Sequence, residues 1–253
     1  MRAIYPKEIL QRIFRSFGYE VHKSESYDPV MEEEFKELAA RCRGYHLQSV
    51  PRLYSLYQAI KYIEKHRIEG DVVECGVFKG ASLMFASALL KSMGSVNRNI
   101  YLYDTFGDWP ERDERDTVIG VENVTSKTIK TGERKDYHAG LGISLDEVRK
   151  NVFQTGYPQN KFIFVKGKVE ETIPGKLPEK IALLRLDTDW YESTYHELLH
   201  LFPRLASGGI LILDDYGHWK GAKDATDRYF EENKVPIFLN RIDYTGRIGV
   251  KPA

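Results

Sequence analysis

Residues 184–215 read LRLDTDWYESTYHELLHLFPRLASGGILILDD, and this stretch decides the fold. It contains or completes two apolar runs, Ile181–Leu186 and Gly209–Leu213, each short enough to be a buried strand. Each run ends in paired acids, Asp187 with Asp189 and then Asp214 with Asp215. Between them, Glu192–Leu205 carries Leu198, Leu199, Phe202 and Leu205 at helical spacing, and Pro203 restricts where the last turn ends. A strand–helix–strand crossover makes the strands parallel neighbours, so both acid pairs emerge at one carboxyl edge. That edge is where open α/β sheets bind ligands. Clustered carboxylates repel one another and an isolated buried one is expensive, so the cluster implies a hard divalent cation such as Mg²⁺.

Whole-chain properties narrow the partners. With 253 residues the chain has the length of one large domain. Lys+Arg 37 against Asp+Glu 37 leaves no global field to draw it to nucleic acid or an anionic membrane, so a small molecule is the expected partner. Cys42 and Cys75 lie far apart and read as reduced, which points to a cytoplasmic protein. The N-terminal MRAIYPKEILQRIFRSF lacks the continuous apolar core of a signal peptide, and no stretch approaches the ~20 apolar residues of a membrane helix.

The pattern divides the chain into a helical extension or cover, residues 1–70, and a sheet domain, residues 71–253. Helices are expected over Pro6–Phe17, Met31–Cys42 and Pro51–Arg67. Their apolar faces cover a pocket or bury against a second subunit. Asp71–Val77 is the first strand, followed by a glycine turn and the helix Ala81–Met93. Gly76 and Gly80 let the backbone approach a ligand, near the free N–H groups of the helix start and Ser82 in its first turn. The spacing is not that of a dinucleotide fingerprint, because Phe78 and Lys79 occupy positions where it asks for glycine. Asn99–Asp104 is the second strand, and Asp104, followed by Thr105, stands where an acid accepts from a ribose diol. Residues 105–142 are dense in charge and turn formers, the composition of a functional lid. Ser144 and Glu147 open a capped helix to Gln154, Lys161–Lys166 is the third strand, and Gly167-Lys168-Val169 is its turn. Gly221–Asn233 is helical, with Pro236–Asn240 and Gly246–Val250 as a closing antiparallel pair.

DVVECGVFKGAS, YDTF, LRLDTDWYEST and GGILILDDYG occur in this order, each at a strand end. Together they resemble the macrocin O-methyltransferase family, whose relatives methylate sugars of macrolide and aminocoumarin antibiotics; the likeness covers roughly residues 45 to 235. The resemblance implies an α/β fold with a Rossmann-like class I methyltransferase sheet, mostly parallel with an antiparallel C-terminal strand. It also implies S-adenosylmethionine as methyl donor, Mg²⁺ at the acceptor hydroxyl and a homodimer. Carried over by position, Asp187, Asp214 and Asp215 become metal ligands and Asp189 the general base. Glu74, Gly76, Asp104, Asp187 and Gly167–Val169 then border the methyl donor, with Gly80, Ser82 and Thr105 beside them. A vicinal diol chelates one metal ion well, which favours a sugar or catechol acceptor, and the resemblance points to a sugar or glycoside.

Plainer roles compete at each position. Asp187 and Asp189 can cap the following helix, and Asp104 can form a turn. Tyr45, His46, Trp109, Tyr191 and His218 are acceptor candidates, and packing or rim positions serve them equally well. Glu111–Asp116 reads as a solvated charge run. Two rival functions remain: a metal-dependent glycosyltransferase using Asp187-Thr188-Asp189 as D-x-D, and a non-catalytic S-adenosylmethionine-binding protein.

Overall fold

Apolar runs become strands, and their register sets the geometry of the rest. The computed structural model describes Phe14 and residues 30–45, 48–107, 109–120 and 142–253. Its first half contains α1 (Glu33–Arg41), α2 (Val50–Lys65), β1 (Asp71–Cys75), α3 (Ala81–Ser92), β2 (Ile100–Asp104), α4 (Leu145–Phe153) and β3 (Phe162–Lys166). The second half follows with α5 (Val169–Thr172), β4 (Ile181–Leu186), α6 (Tyr191–Leu201), β5 (Leu205–Leu213), α7 (Lys220–Glu232), β6 (Asn240–Arg241) and β7 (Arg247–Val250). The described strands form one sheet in the order β3-β2-β1-β4-β5-β7-β6, parallel through β5 and antiparallel at β7 and β6. This is the mostly parallel α/β sheet with antiparallel C-terminal strands that the pattern predicts. Winding reverses between β1 and β4, the place where open α/β sheets bind ligands, beyond the carboxyl ends.

Register aligns those ends. Cys75 pairs with Tyr103 and Leu186, and Leu186 pairs with Leu213. The next residue on each strand, Gly76, Asp187 and Asp214, therefore lies with Asp104 along one edge. The sheet is covered on both faces: α1, α2 and α3 bury Phe35, Leu53, Leu56 and Phe85 against Val72, Leu183 and Ile210, while Leu198, Phe202 and Tyr229 cover Val73, Leu184 and Leu211. The apolar faces of α1 and α2 thus go into the core itself.

Several expectations change. The crossover helix, expected to reach Leu205, stops at Leu201 in a 3-10 turn, Phe202–Arg204, and Leu205 already begins β5. Pro203 has no N–H to continue the helix. The expected strand Pro236–Asn240 shrinks to Asn240–Arg241, because Pro236 cannot donate to a ladder and Phe238 is turned outward at 79% exposure. The expected charge run is partly built in: Asp116 is buried and accepts from the backbone N–H of Tyr191 at 2.8 Å and of Asp113 at 3.1 Å. Arg115 pairs with Asp113 and Glu192 and lies 3.9 Å above the Tyr191 ring. Gly221 makes room, since a Cβ there would sit 1.9 Å from Asp116 Oδ1. Residues 109–120 are therefore strapped to the starts of α6 and α7, with Val118 bridged to Trp219. The helix expected over Pro6–Phe17, apart from Phe14, and, in the expected lid, Asp108 and residues 121–141 lie outside the described residues. Cys42 and Cys75 are buried and free. No described helix is long and apolar enough to cross a membrane.

One side chain ties the end of the crossover to the C-terminal strand. Lys251 Nζ donates to the carbonyls of Phe202 at 3.0 Å, Pro203 at 3.1 Å and Leu205 at 2.6 Å, and sits over the Phe202 ring. The ammonium's three donors thus tie together the 3-10 turn and the start of β5. Lys251→Met is expected to lower stability by about 1–3 kcal/mol, read as a fall in the urea midpoint at unchanged slope.

Candidate active site

Alternation along β4 turns Arg185 toward the acids at its end. Its neighbours across the register are Glu74 on β1 and Ile212 on β5. The guanidinium is 3% exposed: Nη1 donates to Glu74 Oε1 and lies 2.8 Å from Asp187 Oδ2, while Nη2 donates to Asp214 Oδ1 at 2.5 Å. Burial opposes its charge, yet the three carboxylates raise its pKa further above the usual range. Arg52, from the first turn of α2, pairs with Asp214 Oδ2 and, 3.1 Å away, with Asp243 Oδ2. Asp243 in turn receives Ser49 Oγ at 2.5 Å, and Ser49 caps α2 by accepting from Arg52 N.

Two cations therefore offset part of the acidic charge. Neither enters an expectation built on unrelieved repulsion, although Arg185 lies only two residues before Asp187. Asp187, Asp214 and Asp215 nonetheless present carboxylate oxygens all within 4.8 Å of one another. Burial and mutual repulsion push the Asp187 and Asp215 carboxyls well above the ordinary carboxylate range, against the pull of Arg185. A hard oxygen set carrying excess negative charge fits a divalent cation. Asp214 is the most committed of the three, with each oxygen already facing an arginine.

Asp189 differs from its neighbours. It adopts a left-handed backbone at φ +65°, and its carboxyl is 7% exposed. Oδ1 accepts from Trp219 Nε1 at 2.8 Å, and its backbone N–H donates to Asp215 Oδ2 at 3.3 Å. Burial, then the charge of Asp187, raises its pKa to about 7, where a carboxyl exchanges protons readily at neutral pH.

The glycine turn after β1 meets the acids directly. Gly76 has φ +81°, and a Cβ there would fall 1.9 Å from the Asp187 carbonyl oxygen. Glycine is needed at this position for strand-to-strand approach, where the sequence pattern suggests ligand approach. Gly80 has φ +84° and faces Val148 and Val152 of α4. Asp104 accepts from the backbone N–H groups of Val77 at 2.6 Å, Phe78 at 3.1 Å and Phe106 at 2.7 Å, and from Thr105 Oγ1 at 3.4 Å. It thus shapes the turn opposite it as well as its own. Gly167 N–H reaches the Asp104 carbonyl at 3.0 Å, bringing the Gly167-Lys168-Val169 turn to the same edge. Glu74 is fully buried; Oε1 holds Arg185, while Oε2 has no partner among the described residues. Burial lifts its pKa to about 7 despite Arg185. Ser82 is buried and accepts from Gln48 Nε2 at 2.8 Å.

Residues 3–248 match the sequence pattern of the family described as macrocin-O-methyltransferase (TylF). The chain belongs to the macrocin O-methyltransferase family. It is 32% identical over 204 residues to the 8-demethyl-8-(2,3-dimethoxy-alpha-L-rhamnosyl)-tetracenomycin-C 4'-O-methyltransferase of Streptomyces olivaceus, covering 80% of this chain and 74% of that one. It is 29% identical over 195 residues to the mycinamicin III 3''-O-methyltransferase of Micromonospora griseorubida, covering 77% and 74%. The solved O-methyltransferase NovP superposes with a TM-score of 0.72 at 23% identity, over 97% of this chain and 98% of that one, which shows a shared fold. The chain is thus an O-methyltransferase, and membership in this family sets aside the glycosyltransferase and non-catalytic readings.

The macrocin O-methyltransferase edge gathers Glu74, Gly76, Asp104, Asp187, Asp189, Asp214 and Asp215. The acceptor candidates are scattered. Tyr191 is buried; its hydroxyl accepts from Arg228 at 2.9 Å and its ring stacks on Tyr195, so it packs. Tyr45 packs against the core, and His46 lies outside the described residues. Trp109 packs with Trp190 and Trp219. His218 is half-buried at the rim, 3.2 Å from the Tyr244 hydroxyl, and burial with Arg112 nearby lowers its pKa. Sequence reading missed Arg52, Arg185 and Trp219. A lone charge inside an apolar run, as in LLRLD, is the signal that marks Arg185.

Removing Arg185 leaves buried carboxylates uncompensated. Arg185→Leu is expected to cost about 3–5 kcal/mol in urea unfolding, whereas the same change made together with Glu74→Leu is expected to cost less than the sum of the two single changes.

Proposed function

We propose that the chain transfers a methyl group from S-adenosylmethionine to a hydroxyl of a sugar or glycoside, with a hard divalent cation such as Mg²⁺ held by Asp187, Asp214 and Asp215. The observation that carries this reading is the direct contact of the two halves of the edge. Asp187 N–H donates to the Cys75 carbonyl at 2.9 Å, and its own carbonyl closes on Gly76. A donor held in the turn after β1 would therefore lie next to an acceptor at the acids. Family membership and the sugar methyltransferases among the relatives support the substrate class.

A cation at the three acids would lower the pKa of a coordinated hydroxyl and fix its direction. Asp189, beside the acids and near neutrality, takes the hydroxyl proton. Trp219 Nε1 orients that carboxyl through Oδ1, and the Asp215 carboxyl lies against it. The Asp104-shaped turns and Gly167-Lys168-Val169 hold the methyl donor, and Glu74 Oε2 is a buried acceptor suited to a donor's ammonium group. In-line transfer needs the reacting atoms about 3 Å apart, so most of the rate comes from positioning. The strap at residues 109–120 covers the acid side and excludes water. A homodimer is part of the same proposal, and light scattering reads it.

Calorimetry is expected to show S-adenosylhomocysteine binding, together with binding of Mg²⁺ that Asp215→Asn abolishes. Asp189→Asn is expected to lower turnover on a vicinal-diol glycoside by about 10²-fold or more while leaving S-adenosylhomocysteine affinity within about twofold. Unchanged turnover would remove Asp189 as the base, and an absence of Mg²⁺ binding would remove the cation.

A further inference from the structure

The turn that carries Asp187 and Asp189 is held from below by a carboxyl that the proposed chemistry does not use. Glu197, on α6, is fully buried. Its Oε2 accepts from Thr188 Oγ1 at 3.2 Å, and Thr188 is the residue between the two acids. Its Oε1 is buried against the Cys75 thiol of β1, which is a weak donor at best. The turn needs support, because Asp189 holds φ +65° and such a backbone persists only when its surroundings fix it. Other ties act on the Thr188 carbonyl, which accepts from Trp190 N at 2.7 Å and Ser193 Oγ at 3.4 Å. Glu197 holds the side chain.

Burying this carboxyl is costly. A leucine would fill the same core position between α6 and β1 with no polar atom of its own to satisfy, and the half-buried Thr188 hydroxyl it leaves can turn to water. The carboxyl is therefore poorly explained as a source of stability, and what it does contribute is a fixed acceptor for Thr188. Burial raises its pKa well above the ordinary carboxylate range, and the charges of Glu170 and Asp215 push it the same way.

We propose that Glu197 is a positioning residue that, through the Thr188 hydroxyl, fixes the turn placing Asp187 and Asp189 at the bound cation. The inference rests on the cation reading given above. Groups that orient ligands without touching the ion typically change metal affinity by about 10- to 100-fold when removed.

A local probe is built in. The chain has three tryptophans, and Trp190, Trp219 and Trp109 all gather in one cluster at this turn. Tryptophan emission of the full-length protein titrated with Mg²⁺, checked by calorimetry, thus reports the turn without any need for turnover. Glu197→Leu is expected to melt no lower than the wild type yet bind Mg²⁺ about 10-fold or more weakly. S-adenosylhomocysteine affinity is expected to hold. Glu197→Gln, which keeps an acceptor for Thr188, is expected to retain Mg²⁺ affinity within about threefold. Thr188→Val is expected to reproduce the loss, Thr188→Ser to avoid it, and the double variant Glu197→Leu/Thr188→Val to be no worse than Glu197→Leu alone. Should Glu197→Leu not fold, the contrast between Thr188→Val and Thr188→Ser decides. Mg²⁺ affinity in Glu197→Leu or Thr188→Val within about twofold of wild type, or additive losses in the double variant, overturns the proposal. A wild-type protein that binds no Mg²⁺ overturns the cation reading and this inference with it, an outcome visible before any variant is made.

Discussion

Arg185 is a guanidinium buried between strands, and the rest of the site depends on how it is neutralised. A lone cation there would cost several kcal/mol, and so would the carboxylates around it if they stood alone. Together they form a mixed cluster, with Glu74 beneath, Asp187 above and Asp214 across. This arrangement fixes three side chains from three adjacent strands relative to one another. Its value is geometric, since a buried pair rarely adds net stability over well-packed apolar residues. Asp187 then has one oxygen committed to Arg185, and Asp214 has both committed, to Arg185 and Arg52.

The same constraint explains why the two halves of the site are inseparable. The register of β1 against β4 fixes Cys75 opposite Leu186, so the backbone just beyond each strand comes into contact. The chain leaves β1 at Gly76, and any side chain there would collide with the Asp187 carbonyl. Asp104 acts in the same way from β2, gathering N–H groups from the turn after β1 and from its own turn. Charge at the centre and backbone donors at the side thus hold one continuous edge. Arg52 extends the network to the N-terminal helices and, through Asp243, to the loop before β7.

What could be read from the sequence follows from the kind of interaction involved. Strands β1 to β5 announce themselves as apolar runs ending in acids or glycine, because burial on both faces leaves that trace locally. The cap at Ser144 is legible for the same reason, and Ser144 Oγ does accept from Glu147 N. The acids could be placed at a common edge because topology alone puts them there. Partners brought from far along the chain leave no local trace. Arg52 reaches Asp214 across 162 positions, and Trp219 reaches Asp189 across 30. Tyr191 reads as an acceptor contact because an aromatic residue beside the acids suggests exposure, while its burial depends on Arg228 and Asp116 from other elements.

The strap at residues 109–120 shows how a charged stretch can serve a dry site. Asp113, Arg115 and Asp116 direct their charges to one another, to Glu192 and to the N-terminus of α6, so the segment lies flat instead of extending into solvent. That brings Trp109 and Val118 against Trp190 and Trp219, and Arg112 stacks at 5.2 and 4.9 Å from the two indole centroids. The consequence reaches Asp189, whose carboxyl is bonded to Trp219 and whose proton affinity is set first by desolvation. A carboxyl tuned by loss of water depends on whatever keeps water away. The aromatic corner and the strap above it therefore set the proton affinity of Asp189 as much as its acidic neighbours do. They also give Asp189 surroundings unlike those of its neighbours, since it faces indole where Asp187 and Asp214 face arginine.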